Sequence, residues 1–360
     1  MILHVLDKSL NMVDVIDDFI SLIWRPAYYD VGDFELYLRA SAKAVALLQE
    51  DFYLVREPDV AVDEAGNVTY KKVMIIKNFE LTTDAEEGDF YTVTGRELKF
   101  IFNQRIIWKQ TNLNSKLEYA LRRLVTENAI APADSNRVIP NLVLGEEKGY
   151  TETVKKQFTG AHMDEAMIAL CSTYGFGWDV YIYNKSLVFE VIKGSDRSQN
   201  NQNELPHVVF SDDFDNIVNS SYALNSENYA NVILVAGEGE GTARITASID
   251  SGVSGLDRYE TFTDARDISQ NKDTEDEITL EEYIELLQER GQEALAEKVI
   301  TEGFSGEVLS DITFQYGVDF FLGDTVTVVN KYGISKDVMV LSAIESVDES
   351  GTKLIPQFNI

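Results

Sequence analysis

The chain has 360 residues, 44% of them hydrophobic, and carries 61 acidic against 31 basic side chains, a formal net charge of −30. This charge repels phosphates, so stable binding of DNA or RNA is not expected, and no apolar run reaches the roughly 18 residues that a membrane-spanning helix needs. The single cysteine excludes an internal disulfide and a cysteine-based zinc site, and the N-terminal sequence lacks the basic and apolar regions of a signal peptide.

The N-terminal part has the pattern of a small antiparallel sheet. Alternating or apolar stretches predict strands at residues 2–6, 34–38, 52–56, 73–81 and 90–95. A short helix is predicted at residues 41–49, between the second and third of these strands. We therefore predict a first β-barrel over residues 1–103.

In the middle of the chain the hydrophobic spacing changes to that of helices. Ser115 and Glu118 have the spacing of a capping box, ahead of a helix with its apolar face on Leu117, Leu121, Leu124 and Val125. A second helix is predicted at residues 163–174. Two alternating strands follow, joined by a hairpin turn at Asn184 and Lys185. These features predict an α+β middle domain over residues 104–204.

The C-terminal part returns to strand patterns. The predicted strands are residues 208–210, 217–222, 231–235, 243–249, 306–316, 325–330, 338–346 and 353–358. A helix with a second capping box, Thr279 and Glu282, interrupts them. We predict a second β-barrel formed by residues 205–248 and 303–360, with residues 249–302 as a helical insertion.

Segments near the two ends of the chain resemble each other. Residues 31–33 (VGD) align with residues 322–324 (LGD), and residues 73–80 (VMIIKNFE) align with residues 338–345 (VMVLSAIE), in the same order. The match predicts two copies of one module, one at each end. The expected fold class is β-rich α+β, with two related antiparallel β-barrels and α+β insertions. Chance similarity between β-rich segments is the alternative.

The repeated Gly-Asp pairs are the candidate structural turns of the two barrels. Gly32 and Gly323 are expected at positions where a β-carbon would be crowded. Asp33 and Asp324 are expected to accept hydrogen bonds from the backbone of their turns.

No motif indicates catalysis, a cofactor or a metal. The glycine-rich residues 237–241 lack the spacing of a dinucleotide-binding loop and precede a predicted strand, whereas that loop must open a helix. His4, His162 and His207 form no helical zinc pair, and residues 252–255 place their second glycine one position too early for a nucleophile elbow. We therefore expect no catalytic, cofactor-binding or metal-binding residues, and no enzyme activity.

Several longer stretches, taken together, resemble those of a known family. They are residues 214–241, 254–269, 286–297 and the DFFLGDTVTV corner at 319–328, and residues 5–38 and 191–198 fit the same pattern. Together they resemble the tail-tip proteins of siphophages, in particular the minor tail protein family of the siphovirus ReqiPepy type. The resemblance extends over nearly the whole chain.

The resemblance implies a baseplate-hub fold and a structural role. In that family, two similar barrels from each subunit pack in a homotrimer to give a ring that matches the hexameric tail tube. The implied partners are the tail tube or a distal tail protein ring, the tape-measure protein, and tail-tip fibre or receptor-binding proteins. The implied location is the virion tail tip, after synthesis in the host bacterial cytoplasm.

The expected function is therefore a hub that caps the tail tube and forms a channel for DNA passage, with an acidic wall. Two alternatives remain open, a tail-associated cell-wall hydrolase and a carbohydrate-binding β-protein. The sequence ends at Ile360, where the predicted second barrel ends. Fibre or peptidoglycan-cleaving domains are therefore expected on another chain.

Overall fold

The computed structural model of the protein describes residues 1–86, 88–272, 277–308 and 313–359. The N-terminal elements are β1 (Leu3–Leu6), β2 (Met12–Ile16), β3 (Ser21–Arg25), β4 (Asp33–Arg39), α1 (Ala42–Leu47), β5 (Tyr53–Arg56), β6 (Val60–Val62), β7 (Val68–Tyr70), β8 (Met74–Asp84) and β9 (Gly88–Glu97). The middle elements are β10 (Thr111–Lys116), α2 (Leu117–Val125), β11 (Leu142–Leu144), β12 (Thr153–Phe158), α3 (Met163–Tyr174), β13 (Gly177–Tyr183) and β14 (Ser186–Ile192). The C-terminal elements are β15 (Val209–Ser211), β16 (Ile217–Asn225), β17 (Val232–Ala236), β18 (Thr246–Asp250), β19 (Glu260–Asp264), α4 (Leu280–Ala296), β20 (Thr301–Val308), β21 (Thr325–Val329), β22 (Ser335–Asp348) and β23 (Gly351–Asn359).

One large sheet of 13 strands joins the two ends of the chain. Its order is β16-β20-β23-β22-β3-β4-β9-β8-β5-β1-β2, and β21 pairs with both β22 and β15. Three smaller sheets have the orders β10-β12, β11-β14-β13-β7-β6 and β18-β17-β19. The β-rich α+β class predicted from the sequence is thus confirmed.

The two predicted barrels are not separate closed barrels in the part of the chain that the structure describes. The C-terminal half of β22 pairs with β3, so strands of both predicted barrels belong to the same sheet. The pairing satisfies an edge of β3 that would otherwise expose its backbone hydrogen-bonding groups.

Several local predictions are confirmed. Helices α1, α3 and α4 lie where the hydrophobic spacing indicates, and the Thr279–Glu282 capping box is present at the start of α4. Asn184 and Lys185 join β13 to β14 with φ angles of 45° and 65°. Positive φ at both central residues is the geometry of a tight type I′ hairpin turn.

The capping box predicted at Ser115 and Glu118 is wrong. Ser115 belongs to β10, and α2 begins after Lys116 without a side-chain cap. The Glu118 carboxylate instead accepts hydrogen bonds from the backbone amides of residues 148–150, at 2.7, 2.8 and 3.2 Å. Glu118 is buried, and the three loop N–H groups satisfy its carboxylate in place of the predicted cap.

Two predictions for the C-terminal part are also corrected. The strand predicted at residues 306–316 is β20, which runs from Thr301 to Val308, and residues 309–312 lie outside the described part of the chain. Strands β17 and β18, expected in the second barrel, pair with each other and with β19 in a small sheet against α4. The boundary predicted at residue 249 therefore falls inside this small sheet.

Among the residues that the structure describes, four buried apolar clusters support these sheets. The largest lies between the middle helices and the sheet of β13 and β14, around Phe102, Trp178 and Phe189. Each half of the large sheet has its own cluster, and the fourth lies between α4 and β17.

Candidate assembly surface

The large sheet contains the same strand order twice. One half runs β3-β4-β9-β8-β5-β1, and the other runs β16-β20-β23-β22-β21-β15. We call these two sets of six strands the first module and the second module. Corresponding neighbours pair antiparallel in both modules, except that β1 is antiparallel to β5 whereas β15 is parallel to β21.

The pairing register also repeats. Met74 of β8 lies opposite Leu54, and Val338 of β22 lies opposite Val326. Both long strands then contain a β-bulge at the same distance, with Lys77 as the extra residue in β8 and residue 341 in β22. The registers therefore match Met74 with Val338. This is one residue away from the alignment based on the sequence, a shift that exchanges the two faces of a strand.

The repeated backbone hydrogen bonds identify the counterpart of Gly323. The Gly323 amide donates to the Val340 carbonyl at 2.8 Å, and the Asp51 amide donates to the Ile76 carbonyl at 2.9 Å. Both donors are left-handed, with φ of 85° at Gly323 and 63° at Asp51. Asp51 thus holds the position in the first module that Gly323 holds in the second.

The two Gly-Asp pairs do not occupy equivalent places in the sheet. Gly32 and Asp33 lead into β4, which pairs with β3 and β9. Gly323 and Asp324 lead into β21, which pairs with β15 and β22. The repeat is therefore carried by strand order and register, and not by these two corners.

The Gly323–Asp324 corner is tightly packed. A β-carbon on Gly323 would lie 2.3 Å from the ring of Tyr28. The buried Asp324 carboxylate accepts hydrogen bonds from the amides of Ser195 at 2.7 Å and Phe321 at 3.0 Å, and from the Arg197 guanidinium at 2.8 Å. Asp324 therefore joins its own turn to the segment that leaves β14.

The Gly32–Asp33 corner is crowded for a different reason. A β-carbon on Gly32 would lie 2.1 Å from the carbonyl oxygen of Arg25, and the Gly32 amide donates to the Glu97 carboxylate at 2.9 Å. Asp33 accepts from the Arg25 guanidinium at 3.0 Å. Burial raises the pKa of Glu97, and the nearby Lys99 ammonium opposes that rise.

Tyr28 connects these two corners. Its ring packs against Gly323, its hydroxyl accepts from the Gly194 amide at 2.9 Å, and its own amide donates to the Leu341 carbonyl at 2.7 Å. Lys99, paired with Glu97 at 3.2 Å, lies 3.4 Å from the Tyr28 carbonyl oxygen. Tyr28 is not among the residues predicted from the sequence. The only signal was its place in an aromatic pair just before residues 31–33.

A buried ion cluster strengthens the contact between the modules. Glu345 of β22 lies opposite Trp24 of β3. The Arg56 guanidinium is 2.6 Å from a Glu345 carboxylate oxygen and 2.6 Å from an Asp59 oxygen, and it lies over the Trp24 ring at 5.4 Å. This arrangement places a paired cation over an aromatic face, where both electrostatic contacts are favourable.

Each module also leaves one strand edge open. Beyond its first residues β8 pairs only with β9, and β16 pairs only with β20 among the described residues. Large apolar side chains are exposed on these two strands, Phe79 (55%) and Leu81 (55%) on β8 and Leu224 (56%) on β16. Exposed apolar edge strands are ready to pair with another chain.

The acidic helix α4 is held against the middle part of the chain. Glu285 pairs with Lys155 and Glu293 pairs with Lys156. The Tyr174 hydroxyl donates to Glu289 at 2.5 Å. Part of the negative charge of the insertion is thus neutralised within the chain.

Within the described ranges, no group of three or more His, Cys, Asp or Glu side chains is arranged to hold a metal ion. No described helix is both long enough and apolar enough to cross a membrane.

Three solved structures share this fold over almost their whole length. The tail protein from Neisseria meningitidis MC58 has a TM-score of 0.59 at 12% identity and covers 99% of this chain and 96% of its own. The 43 kDa tail protein of prophage MuSo2 from Shewanella oneidensis gives 0.58 at 11% identity, with 99% and 98% covered. Prophage tail protein gp18 from Listeria monocytogenes EGD-e gives 0.50 at 12% identity, with 99% and 94% covered.

Because these three structures are only 11–12% identical to the chain in sequence, the similarity shows a shared fold alone. No curated protein sequence matches the chain significantly. The family model described as Siphovirus ReqiPepy6 Gp37-like protein matches residues 2–358. The resemblance inferred from the sequence is therefore confirmed, and the chain belongs to the Siphovirus ReqiPepy6 Gp37-like family of siphovirus tail proteins.

Proposed function

We propose that this tail protein is a homotrimeric hub that caps the tail tube at the tip of the tail. A trimer presents six equivalent positions to a hexameric tube only if each chain supplies two equivalent modules. The repeated strand order, with its matching bulges in β8 and β22, supports this requirement. It is the single observation that carries the proposal.

The proposed hub surrounds a channel for DNA. A channel wall rich in lysine and arginine would bind phosphates and resist sliding, whereas an acidic wall does not. Each chain brings a net charge of −30, far more than solubility requires. We propose that the residues lining the bore are net acidic. Screening limits their effect on DNA to about 8–10 Å at physiological salt.

The proposed partners follow from this position. The six modules would contact the tail tube or a distal tail protein ring on one side. The tape-measure protein would lie within the tube above the hub, and fibre or receptor-binding proteins would attach at the tip. The structural role, with no enzyme activity of its own, is part of the proposal. A zymogram on cell-wall material would overturn this part if it showed clearing.

Sedimentation equilibrium over a wide concentration range tests the proposal. We expect a monomer–trimer equilibrium that moves toward three chains of 40.5 kDa each as concentration rises. A protein that stays monomeric at every concentration, or forms only dimers, would overturn the hub. Duplex DNA added at physiological salt should leave the sedimentation pattern unchanged.

A further inference from the structure

We propose that the open edge of β8 in one subunit pairs antiparallel with the open edge of β16 in the next, in a register that sets Phe79 opposite Leu224. This inference rests on the proposed trimer. It adds the residues and the register by which a second copy of this chain is recognised.

The chain already contains the pairing on which the inference is built. In β22, the residues after the bulge pair with β3 of the first module, from Ser342 opposite Ala27 to Val347 opposite Leu22. Strand β22 is the counterpart of β8, and β3 is the counterpart of β16. The same contact between β8 and β16 is absent within the described chain, where the two strands lie at separate places in the sheet.

The register between subunits can be read from two matching rows across the sheet. In the first module the row from the bulge runs Asn78, Thr94, Glu35, Ile23, each residue opposite the next. In the second module it runs Ser342, Gln357, Ser305, Ser221. Each row begins at the residue that follows the bulge, so Ile23 in β3 corresponds to Ser221 in β16.

Because Ile23 corresponds to Ser221, the register of the β22–β3 pairing can be applied to the open edges of β8 and β16. Within the chain, Ile23 lies opposite Ser346, which is four residues after Ser342. The residue four after Asn78 is Thr82, so Thr82 lies opposite Ser221 of the next subunit. Continuing along the antiparallel strands sets Leu81 opposite Tyr222, and Phe79 opposite Leu224.

The side chains agree with a register that was obtained from the backbone alone. Phe79 and Leu224 are both large and apolar, and they are exposed at 55% and 56%. The proposed register between subunits places these two side chains directly opposite each other. Leu81, also exposed at 55%, meets the partly buried Tyr222. Cross-strand apolar pairs of this kind are the unit by which sheets are stabilised.

The two edges carry few of the features that normally prevent strands from pairing. Residues 78–83 of β8 (NFELTT) contain one charge and no proline, and residues 217–225 of β16 (IVNSSYALN) contain neither. In the whole chain 26% of residues are charged. Exposed edges of soluble proteins usually carry lysines, prolines or inward-facing charges, and an edge without them is suited to pairing.

The contact joins different surfaces of the two subunits, so it repeats around a ring if the rotation closes. Intrachain β22–β3 contacts would alternate with β8–β16 contacts between chains. The ion cluster of Arg56, Asp59 and Glu345 strengthens the first kind. In the β8–β16 contact between chains, Leu81 and Tyr222 occupy the positions that Glu345 and Trp24 occupy in the β22–β3 contact.

Disulfide cross-linking in the 360-residue chain tests the register. Ser342 and Ala27 are flanked by two direct hydrogen bonds, so they form a pair of the closely spaced, non-hydrogen-bonded kind. Along an antiparallel ladder, non-hydrogen-bonded pairs alternate with hydrogen-bonded pairs. In the proposed contact between subunits, Glu80 and Ala223 therefore form a non-hydrogen-bonded pair. The variant Glu80→Cys/Ala223→Cys should therefore cross-link on mild oxidation. The native Cys171 is buried and does not interfere.

The matched control is Glu80→Cys/Asn225→Cys, which keeps both thiols on the same face but two residues out of register. That displacement puts the two residues about 7–8 Å apart, beyond the reach of a disulfide. On a non-reducing gel we expect bands of two and three chains for the first variant, and their loss for the control. Both variants should sediment like the wild type under reducing conditions, which verifies folding.

The two proposals can fail separately. If the wild type forms trimers but the in-register variant does not cross-link, or the control cross-links instead, the β8–β16 register is overturned while the hub stands. If no trimer forms at any concentration, both are overturned.

Discussion

The phenol ring of Tyr28 occupies the space that a side chain on Gly323 would need, with ring atoms 2.3 Å from the β-carbon position. The same ring lies 2.3 Å from the β-carbon position of Gly177 at the start of β13. Tyr28 precedes the first-module strand β4, whereas Gly323 begins the corner before β21. The ring thus fixes the relative position of the two modules and the middle part of the chain.

Replacing Gly323 with alanine should strongly destabilise the fold. The φ of 85° costs an alanine about 1–2 kcal/mol, and the clash with Tyr28 should add about 1–3 kcal/mol. Gly317→Ala is the matched control, because Gly317 also has φ 85° and its β-carbon would meet no atom within 4 Å. Urea unfolding should give a much lower free energy of unfolding for Gly323→Ala than for Gly317→Ala. Equal losses of free energy in the two variants would show that the Tyr28 contact is unimportant.

The hydroxyl of Tyr28 should contribute separately from its ring. Tyr28→Phe leaves the partly buried Gly194 amide without its 2.9 Å acceptor, at a cost of about 0.5–1.5 kcal/mol for the lost hydrogen bond. Tyr119→Phe, at a side chain that is 58% exposed, should change the free energy of unfolding by less than about 0.5 kcal/mol. Similar values for the two variants would contradict this role for the hydroxyl.

Part of this arrangement could be predicted from the sequence. The helices and most strands follow from hydrophobic period, and the Thr279 cap follows from local chemistry, because these signals act over a few residues. The pairing of β3 with β22 instead depends on contacts between residues hundreds of positions apart. Two Gly-Asp pairs look equivalent along the chain, yet the left-handed counterpart of Gly323 is Asp51, which shares its φ and not its side chain.

Removing the cation of the buried cluster should be costly. Arg56→Met leaves Glu345 unpaired and leaves Asp59 with only Lys72, 3.6 Å away, so we expect a loss of about 3–5 kcal/mol. Arg266→Met breaks an exposed pair with Asp264 and should move the urea midpoint far less than Arg56→Met does, because solvent screens an exposed ion pair. A small effect of Arg56→Met on the urea midpoint would show that the β22–β3 contact does not need this cluster.

Asp264 should titrate well below other aspartates. The hydrogen bond from Arg266 lowers its pKa from 3.8 to about 2, and Arg244 acts in the same direction. Because the pKa is lowered by folding, the stabilising contribution is complete above pH 3.8 and is lost as the pH falls through about 2. A carboxyl-carbon NMR titration should find this midpoint, and Arg266→Gln should move it upward. An unchanged midpoint in the variant would contradict the assignment of the cause.

The open edges show why the candidate assembly surface was not visible in the sequence. Phe79, Leu81 and Leu224 read as ordinary apolar strand residues, and nothing local distinguishes them from the core. Their exposure depends on where β8 and β16 end up in the sheet order. That order is a property of long-range pairing, which only the structure supplies.

A single-particle electron microscopy map of the 360-residue protein at high concentration would show directly whether the chain assembles as a trimeric hub. We expect a three-fold ring of six similar lobes around a central bore, with β8 of each subunit continuous with β16 of the next and Phe79 beside Leu224. Single chains without a ring, or a ring in which residues 78–83 of β8 face solvent, would contradict it.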